Sequence, residues 1–226
     1  MQAINEKIMA LWENSSAEQT NGLMPFFYSE LKSNSIVFVG LNPSFSEQGI
    51  KRFLANTGYQ ELDIKKFYAH PNSGEFKQEV SVQIEQIAQD KYPYFKKFKD
   101  ISNSTDQLWE HVDLFFIRET SQKNMKKKIF EQGTTLNKFG REQLNLSKSI
   151  IETAEPKIIV VANALAGQIF KKEFKSKFNE SKGCHYVNLN NKNIPVFLCS
   201  MLTGQRALDN FSYERLKWHI NKIITE

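Results

Sequence analysis

The stretch SIVFVGLNPSFSEQG, residues 35–49, decides the fold that the sequence predicts. Its run from Ile36 to Gly40 is short, continuous and apolar, which is typical of a buried strand. Gly40 ends the run, and a glycine there lets the backbone turn sharply and come close to a ligand. Pro43 fixes its own φ and favours an extended conformation at Asn42, so the amide is held in one orientation.

Three further apolar runs predict strands at residues 112–117, 157–162 and 194–200. The first, third and fourth strands lack alternation, which is typical of a parallel sheet covered on both faces. Apolar residues at helical spacing predict helices, at residues 2–13, 24–31, 78–89, 141–154, 164–174 and 210–224. Strands that alternate with helices indicate an α/β fold. In such sheets ligands bind beyond the carboxyl ends of the strands, which is where Gly40 and Asn42 lie.

The size and composition of the chain fit one globular domain covering residues 1–226. The chain has 226 residues, of which 40% are hydrophobic and 24% are charged. Within this domain we expect N-terminal helices in about residues 1–34. Prolines, glycines and charges obscure the pattern within residues 46–110, where we expect a lid or a helical insertion.

Targeting, disulfide, metal and cofactor signals do not appear in the sequence. No run of about 18 apolar residues predicts a transmembrane helix, and no basic flank predicts a signal peptide. The two cysteines form no CxxC pair, and the four histidines have no zinc spacing. No P-loop or GxGxxG indicates a nucleotide cofactor. We therefore expect a cytoplasmic protein with no cofactor, no metal and no membrane contact.

The basic residues are grouped along the chain. Lysine and arginine number 30 against 25 acidic residues, which gives a formal net charge of +5. The groups are Lys96, Lys97 and Lys99; Lys123 and Lys126 to Lys128; and Lys171, Lys172, Lys175 and Lys177. Grouped cations favour a polyanionic partner, because neutralising phosphates releases counterions. A single lysine run is more typical of a solvated face, so the charge supports this partner only weakly.

The amide of Asn42 can both donate and accept hydrogen bonds. At the end of a strand it could hold a water molecule for attack, or read the edge of a base or sugar. Asn-Pro is also a common start of a loop. The five residues GLNPS alone slightly favour this simpler interpretation.

In its context after a buried strand, VFVGLNPS resembles the first motif of the uracil-DNA glycosylase superfamily. In the mismatch-specific and single-strand-selective branches that motif reads Gly-x-Asn-Pro-Gly. The order of predicted strands and helices is similar to the family's over about residues 36–225. The resemblance implies a three-layer α/β/α sandwich with a four-stranded parallel sheet of order 2-1-3-4. It also implies DNA as the partner, and no obligate protein partner is indicated.

The same resemblance implies cleavage of the N-glycosidic bond of a flipped nucleotide. Asn42 then positions the hydrolytic water, and Gly40, Leu41 and Pro43 line the base. An aromatic near the first motif usually stacks on the base in this family, and Phe45 is the nearest candidate. In a chain with 18 phenylalanines, core packing is the more common role for any one of them.

Two positions depart from the family pattern. Ser200 stands where the second motif usually has a histidine that donates to the base. Its hydroxyl can also donate, although it stabilises developing charge less well than an imidazole. Ser200 is therefore the second catalytic candidate, beside Asn42. Arg118 stands where an asparagine often reads the base. An arginine suits a carboxylate, a phosphate or an electron-rich base edge. A salt bridge with Glu119 or another acid is an equally favoured interpretation.

The loop LTGQRALDN, residues 202–210, occupies the place of the family loop that enters the minor groove. The resemblance implies nucleic-acid contacts there, by Leu202, Thr203, Gly204 and Arg206. The alternative is that Gly204 and Asp209 form a turn and cap the last helix. Asn163, at the end of the third strand, is similarly open to a capping role.

Two hypotheses follow for function. In the first, the protein is a glycosylase-like hydrolase that acts on a deaminated or damaged base in DNA. In the second, it is a catalytically silent relative that binds nucleic acid, a nucleotide or another anion. Arg118 and Ser200 motivate the second hypothesis, and a general α/β domain with an unrelated partner also stays open.

Overall fold

The protein has an α/β fold in a computed structural model that describes residues 1–71 and 75–225. Its helices are α1 (Gln2–Glu13), α2 (Ala17–Thr20), α3 (Glu47–Leu54), α4 (Ile64–Tyr68), α5 (Glu75–Lys91), α6 (Lys96–Thr105), α7 (Gln122–Ile129), α8 (Lys138–Thr153), α9 (Ala164–Glu173) and α10 (Asn210–Thr225). Its strands are β1 (Ile36–Gly40), β2 (Trp109–Asp113), β3 (Phe130–Gln132), β4 (Thr135–Leu136), β5 (Ile158–Ala162), β6 (Lys177–Asn179), β7 (Cys184–Leu189) and β8 (Lys192–Cys199).

The chain divides into two compact units, each built from several segments. The helical unit comprises Met1–Glu30, Asn42–Tyr92 and Phe115–Ser147. It contains the short antiparallel pair β3 and β4. The sheet unit comprises Leu31–Leu41, Pro93–Leu114 and Lys148–Glu226, and it contains the main sheet.

The main sheet has six strands in the order β2-β1-β5-β8-β7-β6. β1 pairs in parallel with β2 and β5, and β5 pairs in parallel with β8. Every residue of β1 and β5 is buried, as expected for parallel strands covered on both faces. The predicted α/β class is confirmed.

The predicted count of four strands is wrong, because β7 and β6 extend the sheet beyond β8 in antiparallel orientation. The four parallel strands keep the chain order 2-1-3-4 among themselves. Asn190 and Asn191 join β7 to β8 with φ of 49° and 61°. A two-residue loop with both φ values positive is typical of a type I′ hairpin. This Asn-Asn pair is the sequence signal that predicts the hairpin.

The second strand is Trp109–Asp113, so it begins three residues earlier and ends four residues earlier than the predicted range of residues 112–117. In the ladder Ile36 pairs with Trp109 and Gly40 pairs with Asp113. Glu110 is tolerated inside the strand because its carboxylate accepts from the Lys32 backbone N–H at 3.0 Å and lies 3.5 Å from Lys32 Nζ. A buried charge needs such a partner, and its partner cannot be read from the local sequence.

The helix predicted at residues 24–31 is absent, and this segment has no regular secondary structure. Pro25 disfavours helical geometry at Met24. The backbone N–H groups bond elsewhere in the helical unit: Met24 donates to Tyr68 at 2.8 Å and Phe26 donates to Phe116 at 3.2 Å. The other predicted helices are found, with shifts of up to three residues at the ends. The described part of residues 46–110 is largely helical, in α3 to α6.

Candidate functional site

Gly40 is required by the neighbouring strand, for a reason that the sequence did not predict. A Cβ atom at this position would overlap Asp113 Oδ1 and lie 3.0 Å from His111 Nε2. The backbone of Gly40 does not have a left-handed φ. The glycine therefore makes room for a buried carboxylate at the carboxyl end of β1 and β2.

His111 and Asp113 form a buried pair of titratable side chains on one face of β2. Their Nε2 and Oδ1 atoms are 3.8 Å apart. The rings of Tyr94, Phe95 and Phe98 surround the imidazole at centroid distances of 5.4 to 6.0 Å. Burial lowers the pKa of His111 to about 4, so the imidazole is neutral at pH 7. Sequence reasoning missed Asp113, whose signal is one acid inside the apolar run HVDLFF.

The amide of Asn42 is held by main-chain carbonyl groups. Its Nδ2 donates to the carbonyl oxygens of Pro43 at 3.0 Å, Ile117 at 3.1 Å and Glu119 at 2.6 Å. Because all three contacts are acceptors, the nitrogen and not the oxygen must face them. Asn42 Oδ1 has no hydrogen bond within residues 1–71 and 75–225. The side chain therefore has a fixed orientation and an oxygen that can accept from a water molecule or a ligand.

A second asparagine holds the same segment from its other edge. Asn21 Nδ2 donates to the Arg118 carbonyl at 3.0 Å and to Glu119 Oε2 at 3.3 Å. In extended chain, successive carbonyls point to opposite edges, so Asn42 binds those of residues 117 and 119 while Asn21 binds that of residue 118. The Glu119 N–H also donates to the Pro43 carbonyl at 3.0 Å. The two asparagines and this bond fix the segment that carries Arg118.

Arg118 forms a buried salt bridge. The residue is 3% exposed, and its Nη2 lies 2.7 Å from Glu85 Oε1 on α5. Its guanidinium carbon lies 4.5 Å from the Tyr68 ring centroid and 5.5 Å from that of Phe26. Of the two interpretations of Arg118, the salt bridge is the one observed, and its partner is Glu85 and not Glu119. The ion pair and the rings leave almost no guanidinium surface exposed to a ligand in this conformation.

Phe45 contacts Tyr68, one of the two aromatic residues that lie against the Arg118 guanidinium. Its half-buried ring contacts the ring of Tyr68 at a centroid distance of 5.6 Å, edge to face. Its carbonyl accepts from Thr120 Oγ1 at 3.0 Å. The helical unit therefore brings together Asn42, Pro43, Phe45 and Arg118. Burial also raises the pKa of the Tyr68 hydroxyl, which stays protonated.

The second motif begins where β8 ends. Ser200 is exposed and follows Cys199, whose Sγ donates to the Val161 carbonyl at 3.5 Å. Burial raises the pKa of the Cys199 thiol to about 12, so it is protonated at neutral pH. The exposed hydroxyl of Ser200 is therefore the accessible donor at this strand end.

The loop after the second motif combines buried and exposed side chains. Leu202 is fully buried, and the buried Thr203 hydroxyl has no hydrogen-bond partner in the described chain. Gly204 has φ +89°, a conformation that favours glycine, and Arg206 is exposed. Buried Leu202 offers no wedge to a groove in this conformation, whereas Arg206 is accessible.

The capping interpretations are borne out at two helix starts. Asp209 accepts from the Ser212 N–H at 3.0 Å and from its hydroxyl at 2.6 Å at the start of α10. Asn163 accepts from the N–H groups of Leu165 at 2.9 Å and Ala166 at 3.1 Å at the start of α9. These side chains satisfy N–H groups that a helix start leaves without partners.

The candidate residues are shared between the two units. Asn42, Pro43, Phe45 and Arg118 belong to the helical unit. Those of the sheet unit are Gly40, Leu41, Ser200, Leu202, Thr203, Gly204 and Arg206. In the described residues, no group of three or more His, Cys, Asp or Glu side chains could hold a metal ion. No helix among them is long and apolar enough to cross a membrane.

No protein-family model matches the chain, and no curated protein has a sequence that matches it. Function is therefore inferred from the residues and their contacts.

Proposed function

We propose that the protein is a DNA glycosylase-like hydrolase that releases a deaminated or damaged base. In this proposal it has the fold of the uracil-DNA glycosylase superfamily, a three-layer sandwich whose parallel strands run 2-1-3-4. The additional strands β7 and β6 are then an extension of that sheet. DNA is the proposed partner.

The observation that supports this function best is the fixed amide of Asn42, two residues after the end of β1. Its Nδ2 atom donates to three carbonyl oxygens, so its Oδ1 atom points away from these carbonyl groups. That oxygen can accept a hydrogen bond from water and orient it. An amide is a poor base, so we assign Asn42 to positioning the water and not to removing its proton.

The proposed reaction is hydrolysis of an N-glycosidic bond. The water oxygen attacks C1′ of the sugar while the bond from C1′ to the base nitrogen breaks. The base leaves with the bonding electron pair and takes up a proton, and the water loses a proton to solvent. The products are an abasic sugar and the free base. Donors to the base stabilise its developing negative charge. Ser200, exposed after β8 in the sheet unit, is the donor that the resemblance to the glycosylase family implies.

The remaining candidates take supporting roles in this proposal. Gly40, Leu41, Pro43 and Phe45 line the base. Arg118 acts as a positioning residue and not as a contact to the base, because its guanidinium is buried in a salt bridge with Glu85. That salt bridge positions the segment that carries Arg118. The alternative is a catalytically silent relative that binds nucleic acid, a nucleotide or another anion. The Glu85 carboxylate pairs with Arg118, so this arginine does not favour that alternative.

The test is base release with the protein in excess over its substrate. Duplex and single-stranded oligonucleotides carry one uracil, hypoxanthine or xanthine, and alkali cleaves any abasic product. We expect product from at least one of them, and a loss of about 10²-fold in rate for Asn42→Ala. Asn14→Ala, at an exposed asparagine, is the matched control and keeps the rate. Absence of product from all substrates with the folded wild-type protein would contradict the proposal.

A further inference from the structure

The outward face of α10 carries a stripe of alternating aromatic and basic side chains. Phe211, Arg215, Trp218 and Lys222 are spaced by four, three and four residues, which places them on one face of a helix. Phe211 is 78% exposed and Trp218 is 62% exposed. They are the two most exposed large hydrophobic residues in the described chain. We call these four residues the aromatic-basic stripe.

The opposite face of α10 anchors the helix within the sheet unit. Tyr213 and Ile220 are buried. The Tyr213 hydroxyl lies 2.7 Å from Asp100 Oδ2 on α6, and Lys217 Nζ lies 3.1 Å from the same oxygen. The helix is therefore fixed by residues outside the stripe, and both rings of the stripe stay largely exposed.

The cations of the stripe are not neutralised within the described residues. Neither Arg215 nor Lys222 forms a salt bridge there. Lys222 Nζ instead lies 5.4 Å from the ring centroid of Trp218. An exposed ring beside an unneutralised cation is the pairing that single-stranded nucleic acid requires, because bases stack on rings while phosphates bind cations.

We propose that the aromatic-basic stripe is a binding face for single-stranded nucleic acid. Bases stack on Phe211 and Trp218. One phosphate between them contacts Arg215, and a phosphate beyond Trp218 contacts Lys222. Stacking tolerates any base, so the face selects the strand state and not a base sequence. This inference goes beyond the proposed function, because binding through the stripe requires no bond cleavage.

Two other occupants fit the stripe less well. A second copy of the chain, paired about a two-fold axis, would place four cations in one interface, and neither stripe supplies a carboxylate to neutralise them. An anionic membrane favours a continuous apolar face, whereas each ring here is followed by a cation. Both occupants are outcomes of the test below.

The first test measures fluorescence anisotropy of a labelled oligonucleotide of about ten nucleotides without damaged bases. We expect Phe211→Ala and Trp218→Ala each to weaken binding about tenfold. Phe178→Ala is the matched control, since Phe178 is 57% exposed in the same unit and lies on β6. Wild-type affinity in both stripe variants would overturn the inference, as would an equal loss in the control.

The second test measures the dependence of affinity on salt. Replacing Arg215 and Lys222 by glutamine removes two phosphate contacts. The slope of log K against log salt should therefore become shallower by about 1.4 for a single strand. Lys192→Gln is the control, because Lys192 lies in the same unit and is 3.6 Å from Glu155. An unchanged slope in the double variant would overturn the phosphate assignment.

Sedimentation of the protein, alone and with vesicles of phosphatidylcholine and phosphatidylserine, tests the other occupants. Dimerisation or vesicle binding that Trp218→Ala abolishes, without oligonucleotide binding, would overturn the inference. Base release is scored separately on the same variants. Binding through the stripe without base release contradicts the glycosylase proposal alone, and base release with undiminished binding in the stripe variants contradicts the binding face alone.

Discussion

The surroundings of Asn42 and the stretch from Met201 to Lys222 use similar residue types in opposite ways. Around Asn42, the polar groups bond to carbonyls and carboxylates of the same unit, and Arg118 is almost completely buried. Along the second stretch, Arg206 and the aromatic-basic stripe face solvent. The contrast shows that residue type does not distinguish a group that the fold uses from one that a ligand can reach.

The largest expected effect compares two arginines that the sequence assigned to ligand contacts. Arg118→Gln leaves the Glu85 carboxylate without its buried partner, so we expect a loss of about 3 to 5 kcal/mol in the free energy of unfolding. Arg206→Gln, at an exposed position, should change it by less than about 0.5 kcal/mol. Urea unfolding measures both. Equal effects would remove the distinction between the two regions.

A second effect concerns pH and the buried His111. Its pKa falls from 6.5 to about 4 on folding, so below pH 6.5 the unfolded chain binds a proton that the folded chain does not. Neutral His111 therefore contributes about 3 kcal/mol to the free energy of unfolding. This contribution is fully present above pH 6.5 and is lost as pH falls toward 4.

Unfolding free energies measured across that pH range test this effect. His111→Gln should flatten the profile, because the group whose pKa falls on folding is removed. A wild-type profile with no greater slope than that of His111→Gln would contradict the assignment.

The third effect compares two glycines. Gly40→Ala forces a methyl group against the Asp113 carboxylate, and such overpacking costs about 3 kcal/mol. Gly58→Ala meets no atom within 4 Å, so stability should stay the same or rise by up to about 1 kcal/mol. Thermal unfolding measures both variants. A Gly40→Ala protein as stable as wild type would show that the end of β1 is not closely packed.

The smallest of these effects compares asparagines that bond through different atoms. Asn42→Asp replaces a donor with an oxygen facing three carbonyls, which should cost about 2 kcal/mol at pH 7. The cost should shrink at low pH, where the carboxyl group regains a proton to donate. Asn163→Asp should be neutral or slightly stabilising, because this side chain accepts at a helix start. The reverse order of stabilities would show that the amide of Asn42 is turned around.

The sequence predicted the elements whose signals are local. The continuous runs of β1 and β5 and the helical spacing of α1, α8 and α10 were sufficient to place them. The start of β2 was missed because Glu110 and His111 are polar and precede the apolar run, and only tertiary contacts make their burial possible. The segment 24–31 was misassigned because its hydrogen bonds go to Tyr68 and Phe116, far along the chain.

The site was predicted as a set of residues but not as a set of contacts. Asn42 was singled out by its position between Gly40 and Pro43. Its partners Ile117 and Glu119 are 75 and 77 residues away in sequence, and Glu85 lies 33 residues from Arg118. No local pattern encodes such distances, so the use of each polar group becomes clear only in the folded chain.

We propose above that Asn42, whose amide nitrogen is hydrogen-bonded to three carbonyl groups, presents its oxygen to the water that cleaves a glycosidic bond. Single-turnover release of the free base, compared between wild type and Asn42→Ala on the best oligonucleotide substrate, tests it most directly. We predict release by wild type and a rate lower by about 10²-fold in the variant, with oligonucleotide affinity retained. Equal rates in the two proteins, or no release by either, would contradict the claim.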